Sequence, residues 1–178
     1  MQNLNYGVIG NCSTAALISE KGAIEWLCFP EFDSPSVFAA ILDRQKGGHF
    51  GFKVTSDYKV TQSYVPHTNI LSTHFESEEG AFDVVDFMPC YPTSDGKDFY
   101  RPAEIYRYIR WAKGRPRMKV DYRPAPNYAR GKTIYNVTSQ YVETYSSVEN
   151  KDRQYLYSSL DLKKVVNHDE ITLEKDES

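Results

Sequence analysis

Residues 70–88, ILSTHFESEEGAFDVVDFM, read as two extended runs on either side of a turn. Ile70 to Ser77 and Ala81 to Met88 are rich in apolar and β-prone side chains, and Glu78-Glu79-Gly80 lies between them, so the segment predicts an antiparallel hairpin. The same signal recurs upstream. Tyr6 to Ile9 is a short apolar entry strand broken at Gly10-Asn11. Ala15 to Ile18 and Ala23 to Leu27 flank Glu20-Lys21-Gly22, where Gly22 accepts the positive φ of a tight turn at little steric cost. Phe50, Phe52 and Val54 alternate, and Tyr58 to Tyr64 follows. Downstream, Ile105, Ile109 and Trp111 face one way and Tyr106 and Tyr108 the other. Ala112-Lys113-Gly114 turns the chain into Arg117 to Arg123, where Met118, Val120 and Tyr122 share a face. Thr133 to Tyr145, Leu156 to Leu160 and Ile171 to Leu173 complete the strands. Two prolines keep Phe29 to Pro35 irregular. Ser36 is then expected to cap one short helix, Val37 to Leu42. Short strands at regular spacing with a single helix near residues 36–42 predict an all-β antiparallel sandwich or barrel.

Composition agrees. The 178 residues suit one domain (1–178) with a sizeable core, and 40% hydrophobic with 25% charged residues excludes a disordered chain. Fourteen tyrosines, nine phenylalanines and two tryptophans favour strands over a helical bundle. No apolar run approaches the roughly 20 residues of a membrane-spanning helix, and Met1 to Asn5 lacks a basic then apolar leader. A cytoplasmic protein without a membrane partner is expected. Three cysteines without zinc-ligand spacing, and four histidines without helical i, i+4 pairs, lead to an expectation of no disulfide framework, no metal and no cofactor.

Three patterns invite chemistry. Gly7-Val8-Ile9-Gly10-Asn11 before Ser13-Thr14-Ala15-Ala16 faintly resembles a phosphate loop, but a two- or three-residue strand and the interruption at Gly22 favour a tight turn between strands. Glu25, Glu31, Asp33, Asp83, Asp86 and Glu104 are candidate acids. A glycosidase pair must stand about 5–10 Å apart across a cleft, which spacing along strands does not establish. Arg101 to Lys132 holds ten basic residues against Glu104 and Asp121, interleaved with tyrosines. A net charge of −3, and the alternation of Arg117, Lys119 and Arg123 with apolar Met118, Val120 and Tyr122, favour a solvated sheet face over a nucleic-acid surface.

Tyr6-Gly7-Val8-Ile9-Gly10-Asn11-Cys12, Thr14 to Ile18, Gly22 to Cys28 and Phe32-Asp33-Ser34-Pro35-Ser36-Val37-Phe38-Ala39 occur in a specific order. With Asp86-Phe87-Met88-Pro89 and the Arg107 to Tyr128 region, they resemble the N-terminal domain of bacterial and archaeal glucoamylase- and trehalase-like enzymes, glycoside hydrolase family 15. The resemblance implies a β-supersandwich preceding an (α/α)6 barrel, and places the two catalytic glutamates of an inverting α-glucosidic hydrolysis in that barrel. No catalytic residue is therefore carried over, and no glycosidase activity is expected of this chain alone. The partner implied is the barrel of the same polypeptide, with an α-glucan or trehalose met through the full enzyme. Ser13 and Glu31 stand where the family pattern usually has arginine.

The Phe29 to Phe38 loop is rigid, aromatic and proline-rich, so it loses little entropy on docking. Trp26, Phe32, Asp33, Ser34, Pro35, Ser36 and Phe38 are candidates for facing the barrel and shaping its entrance; ordinary core filling by Trp26, Phe32 and Phe38 is the competing reading. A stand-alone carbohydrate-binding module using Tyr106, Tyr108, Tyr122, Tyr135 and Tyr141 is a second class of function. A nucleic-acid-binding domain is a third.

Overall fold

The computed structural model describes residues 5–55, 57–148 and 153–175. Alternating side chains make strands almost throughout. In chain order they are β1 (Tyr6–Gly10), β2 (Ala15–Ser19), β3 (Ile24–Cys28), β4 (Ser36–Phe38), β5 (His49–Val54), β6 (Lys59–Tyr64), β7 (Leu71–Glu76) and β8 (Gly80–Phe87). There follow β9 (Tyr91–Pro92), β10 (Phe99–Tyr100), β11 (Tyr106–Gly114), β12 (Arg117–Arg123), β13 (Thr133–Val137), β14 (Val142–Ser146), β15 (Gln154–Leu156), the helix α1 (Leu162–Asn167) and β16 (Ile171–Thr172).

One sheet has seven strands in the order β1-β2-β3-β5-β12-β16, with β4 also paired to β3; a second has the order β11-β8-β7-β6. All pairings within both are antiparallel. The sheets pack through one apolar core. Ile9, Ile18, Ile24, Met118 and Val120 come from the first, and Leu71, Phe75, Phe82 and Val84 from the second. Phe75 and Phe82 stack at 4.7 Å, and Phe52 meets Phe75 edge-on at 6.4 Å across the layers. Burial of each such side chain contributes about 1.5–3 kcal/mol, so this seam dominates the fold's stability. A small sheet, β13-β14-β15, is tied on through a Tyr122–Thr144 hydroxyl contact of 3.2 Å. That burial pushes the Tyr122 phenol up to about 12, although the Thr144 contact works against the shift.

The all-β class holds, and the central hairpin stands: Leu71–Glu76 pairs with Ala81–Asp86 across the turn. The helix expected near residues 36–42 does not form. Ser36 to Phe38 instead pairs with β3, matching Leu27 with Phe38 and Cys28 with Ser36. The reason is burial on every side: residues 36–40 are all buried, and a helix would expose half of them. Beyond the strand the chain makes a single turn here, with Leu42 N and Asp43 N both donating to the Ala39 carbonyl, and a second follows where Gly47 N donates to the Asp43 carbonyl. Ser36 therefore caps nothing, and its buried hydroxyl has no hydrogen-bond partner among the described residues.

The helix that does form is α1. Asp161 caps it by accepting from Lys163 N, and His168 closes it in a left-handed conformation. Leu162 and Val165 bury its inner face. The Thr133 to Tyr145 run is likewise two strands joined by a turn, in which Thr138 Oγ1 donates to the Tyr141 carbonyl.

Candidate functional site

Three loops meet beyond the ends of β1 and β3. The tight turn 11–14 is organised by Asn11, which is 1% exposed. Its Oδ1 accepts from Ser13 N and Thr14 N, both at 3.1 Å, and its Nδ2 donates to the Pro102 carbonyl at 3.0 Å. Direct antiparallel pairing of β1 with β2 excludes a phosphate loop here. Thr14 Oγ1 donates to the Cys28 carbonyl, and Phe32 N donates to the Ser13 carbonyl at 3.0 Å. The 29–35 loop is thus strapped to the 11–14 turn, and closes on itself where Glu31 N donates to Ser34 Oγ at 3.0 Å. Ser13 and Glu31, the two departures from the arginine pattern, lie on these strapped loops.

The seven candidates divide. Phe32 is 63% exposed at the loop tip, and Asp33 beside it is exposed. Ser34, Pro35 and Trp26, the last on β3, are half-buried. Phe38 belongs to the core, its ring 6.3 Å from Phe50 and 6.2 Å from Tyr122, and Ser36 is buried next to it. Core filling therefore accounts for Phe38, while Phe32 is a phenyl ring held out in water on a fastened loop. Cys28 is buried beside the Tyr128 hydroxyl, and burial pushes its thiol up; Cys12 and Cys90 are exposed.

Two residues missed by sequence reading organise the interior. Arg107 stands between Ile105 and Ile109 on the inward face of β11, with its side chain 4% exposed. Its Nε donates to Asp86 Oδ1 at 2.8 Å and an Nη to Oδ2 at 3.1 Å. Across the sandwich it donates to the carbonyls of Phe50 and Gly22, and it lies over the rings of Phe50 and Phe52 at 4.7 and 4.9 Å. One guanidinium thus bolts the two sheets together. Its signal was alternation itself, which turns Arg107 inward with Ile105 and Ile109. Asn11 is the second such residue, visible in sequence only as a turn former.

The other buried carboxylates are saturated as well. Burial would raise Asp83, but hydrogen bonds from His74 and Arg110 outweigh it and hold the carboxyl below the usual range. At Asp121, burial is likewise overcome by His49 at 2.8 Å, Lys53 at 2.9 Å and Arg123 at 2.6 Å, which push it far down. Glu143 is lowered chiefly by Arg153, at 2.6 Å. A glycosidase general acid needs a shift in the opposite direction. His168 approaches Asp121, but its Nδ1 donates to the Val120 carbonyl at 3.0 Å. Among the described residues no cluster has the form of a metal site.

The basic stretch is mostly neutralised. Seven of its ten cations, Arg101, Arg107, Arg110, Lys113, Arg115, Arg117 and Arg123, have a carboxylate within ion-pair distance. Nor do the five tyrosines make one platform. Tyr122 is buried, Tyr106 stacks on Phe87 at 5.1 Å, Tyr108 projects from the same strand, and Tyr135 and Tyr141 stand on or beside the small sheet. No described helix is long and apolar enough to cross a membrane.

Residues 5–150 match the family described as "Trehalase-like, N-terminal". Among curated proteins, a "Trehalase" of Thermoplasma volcanium is 36% identical over 132 residues, covering 72% of this chain and 20% of that protein. A "Trehalase" of Mycolicibacterium smegmatis is 33% identical over 141 residues, again 71% of this chain and 20% of the relative. "Trehalase 1" of Sulfolobus acidocaldarius reaches 51% identity over 85 residues, 47% of this chain and 14% of that protein. The chain thus spans about a fifth or less of the length of these relatives. No solved structure matches it.

Proposed function

The chain belongs to the trehalase-like N-terminal domain family, and from that premise we propose that it is the non-catalytic accessory domain of a cytoplasmic glycoside hydrolase of family 15. The whole enzyme would remove glucose from α-glucosidic links, in trehalose or in the oligosaccharides of a glucoamylase, by an inverting mechanism on a helical barrel. This domain's work is to fold as a rigid sandwich and present the 29–35 loop to that barrel. One observation carries the reading: Phe32 is fastened in an exposed position by the backbone bond from its N–H to the Ser13 carbonyl of the 11–14 turn. The carboxylates support it from the other side, since Asp83, Asp121 and Glu143 are all displaced toward lower proton affinity, where none serves as a general acid.

The test is glucose release from trehalose, maltose and soluble starch. The purified 178-residue chain is expected to release none, while the complete enzyme turns over at least one of the three. Glucose release by the chain itself would overturn the proposal.

A second reading, a carbohydrate-binding module, draws on the ring group of Tyr141 with Tyr155 at 5.4 Å and Tyr157 at 5.6 Å. Their planes lie at 81° and 59°, a cleft rather than a flat platform. Saturable binding of maltose or trehalose that is lost in Tyr157→Ala would favour it.

A further inference from the structure

We propose that the open cavity between the 39–48 loop and the end of β12 is an oxyanion site that takes the phosphate group of a small ligand. The cavity measures about 230 Å³, and Arg44, Lys46, His49 and Arg123 stand in its lining, in which there is no carboxylate. The two adjoining acids are already engaged. Asp43 Oδ1 accepts from the backbone of Gln45 at 2.8 Å and Lys46 at 3.1 Å. Asp121 is held by Lys53 and Arg123 together, two permanent cations on one carboxylate, with His49 as a third contact. Arg44 and Lys46 then add two positive charges, and the region is left with a cationic excess inside a chain whose net charge is −3.

Geometry suits phosphate. Asp121 holds Arg123 by Nε, so the outer pair of Nη groups is the edge available for bidentate contact with an oxyanion. Lys46 adds a point charge. A phosphate monoester offers close to two negative charges and three acceptor oxygens to this set. The walls are shaped for the space. Gly48 has φ +72, and a Cβ there would meet the Arg123 carbonyl at 2.4 Å and the Ala125 Cβ at 2.8 Å. Ala129 in the lining is left-handed at φ 56, as are Asn127 and Tyr128 just before it, at φ 56 and 54. For Tyr128 and Ala129 this conformation costs about 1–2 kcal/mol each, and strain of this kind collects where a site is shaped.

Inorganic phosphate and the phosphate end of a sugar monophosphate share this chemistry. The site is argued independently of the hydrolase reading, and its test needs only the 178-residue chain. Calorimetric titration with sodium phosphate and with glucose 6-phosphate, against sodium chloride of matched ionic strength and against glucose, is expected to show saturable binding of the phosphates alone. The double variant R44A/K46A, on an exposed turn, should weaken it about tenfold or more, while K59A on the far sheet binds as the parent. Tighter binding of glucose 6-phosphate identifies a sugar phosphate, and equal binding identifies the phosphate group by itself. Heats no different from chloride, unchanged affinity in R44A/K46A, or equal weakening in K59A would overturn the site.

Discussion

Arg107 and Asp86 are shut away from water, and among the described residues neither has a second ion-pair partner. Breaking such a pair strands a buried charge, at about 3–5 kcal/mol, whereas replacing both members with apolar groups is often neutral. Arg107→Met is therefore expected to lower unfolding free energy in urea by about that amount, and R107M/D86L to recover most of it. A loss below about 1 kcal/mol in the single variant, the level of a surface pair, would show that Arg107 does not join the sheets. Acid should act through Asp83 and Asp121. Their carboxyls are held below the unfolded value, so their contribution is complete above about pH 3.9 and fades as pH falls from there toward their folded values. Stability measured from pH 6 down to pH 2 should thus decline, and Asp121→Asn should flatten the decline. An equally steep acid limb in that variant would contradict the assignment.

At the scale of elements, the turns decide how the strands stack. Gly22 sits at φ +76 in the β2–β3 turn, and a Cβ there would stand 3.0 Å from Phe75 and 3.1 Å from Thr73 of the facing sheet. Gly22→Ala is expected to cost about 1–3 kcal/mol by denaturant titration, combining backbone strain with crowding. This turn and the 70–88 hairpin were legible because local alternation and one glycine suffice to write them. The 36–42 segment was not. Ser-Val-Phe-Ala-Ala carries a capping residue and helix formers, and its pairing with β3 depends on tertiary burial that no local window contains. The helix α1 escaped notice for the opposite reason: its two buried residues, Leu162 and Val165, are too few to reveal a period. In the loop cluster, Phe32 and Pro35 were visible as unusual composition. Asn11 and Pro102 stand 91 residues apart, so their contact appears only once the chain has folded.

As a whole molecule, the sandwich combines a saturated interior with an unsaturated rim. Its buried carboxylates Asp83, Asp86, Asp121 and Glu143 are ion-paired and its basic stretch is largely matched by acids, so outside the cationic 39–48 loop the rim's most prominent exposed groups are rings such as Phe32, Tyr91, Phe99 and Tyr108. That distribution suits a scaffold that docks better than a site that reacts. The sharpest test is the melting temperature of Phe32→Ser, measured in the 178-residue chain and in the complete enzyme. Loop docking predicts no change in the isolated chain, where the ring already meets water, and a clear fall in the complete enzyme, where about 1.5–3 kcal/mol of apolar burial is lost. Equal melting of variant and parent in the complete enzyme would contradict it.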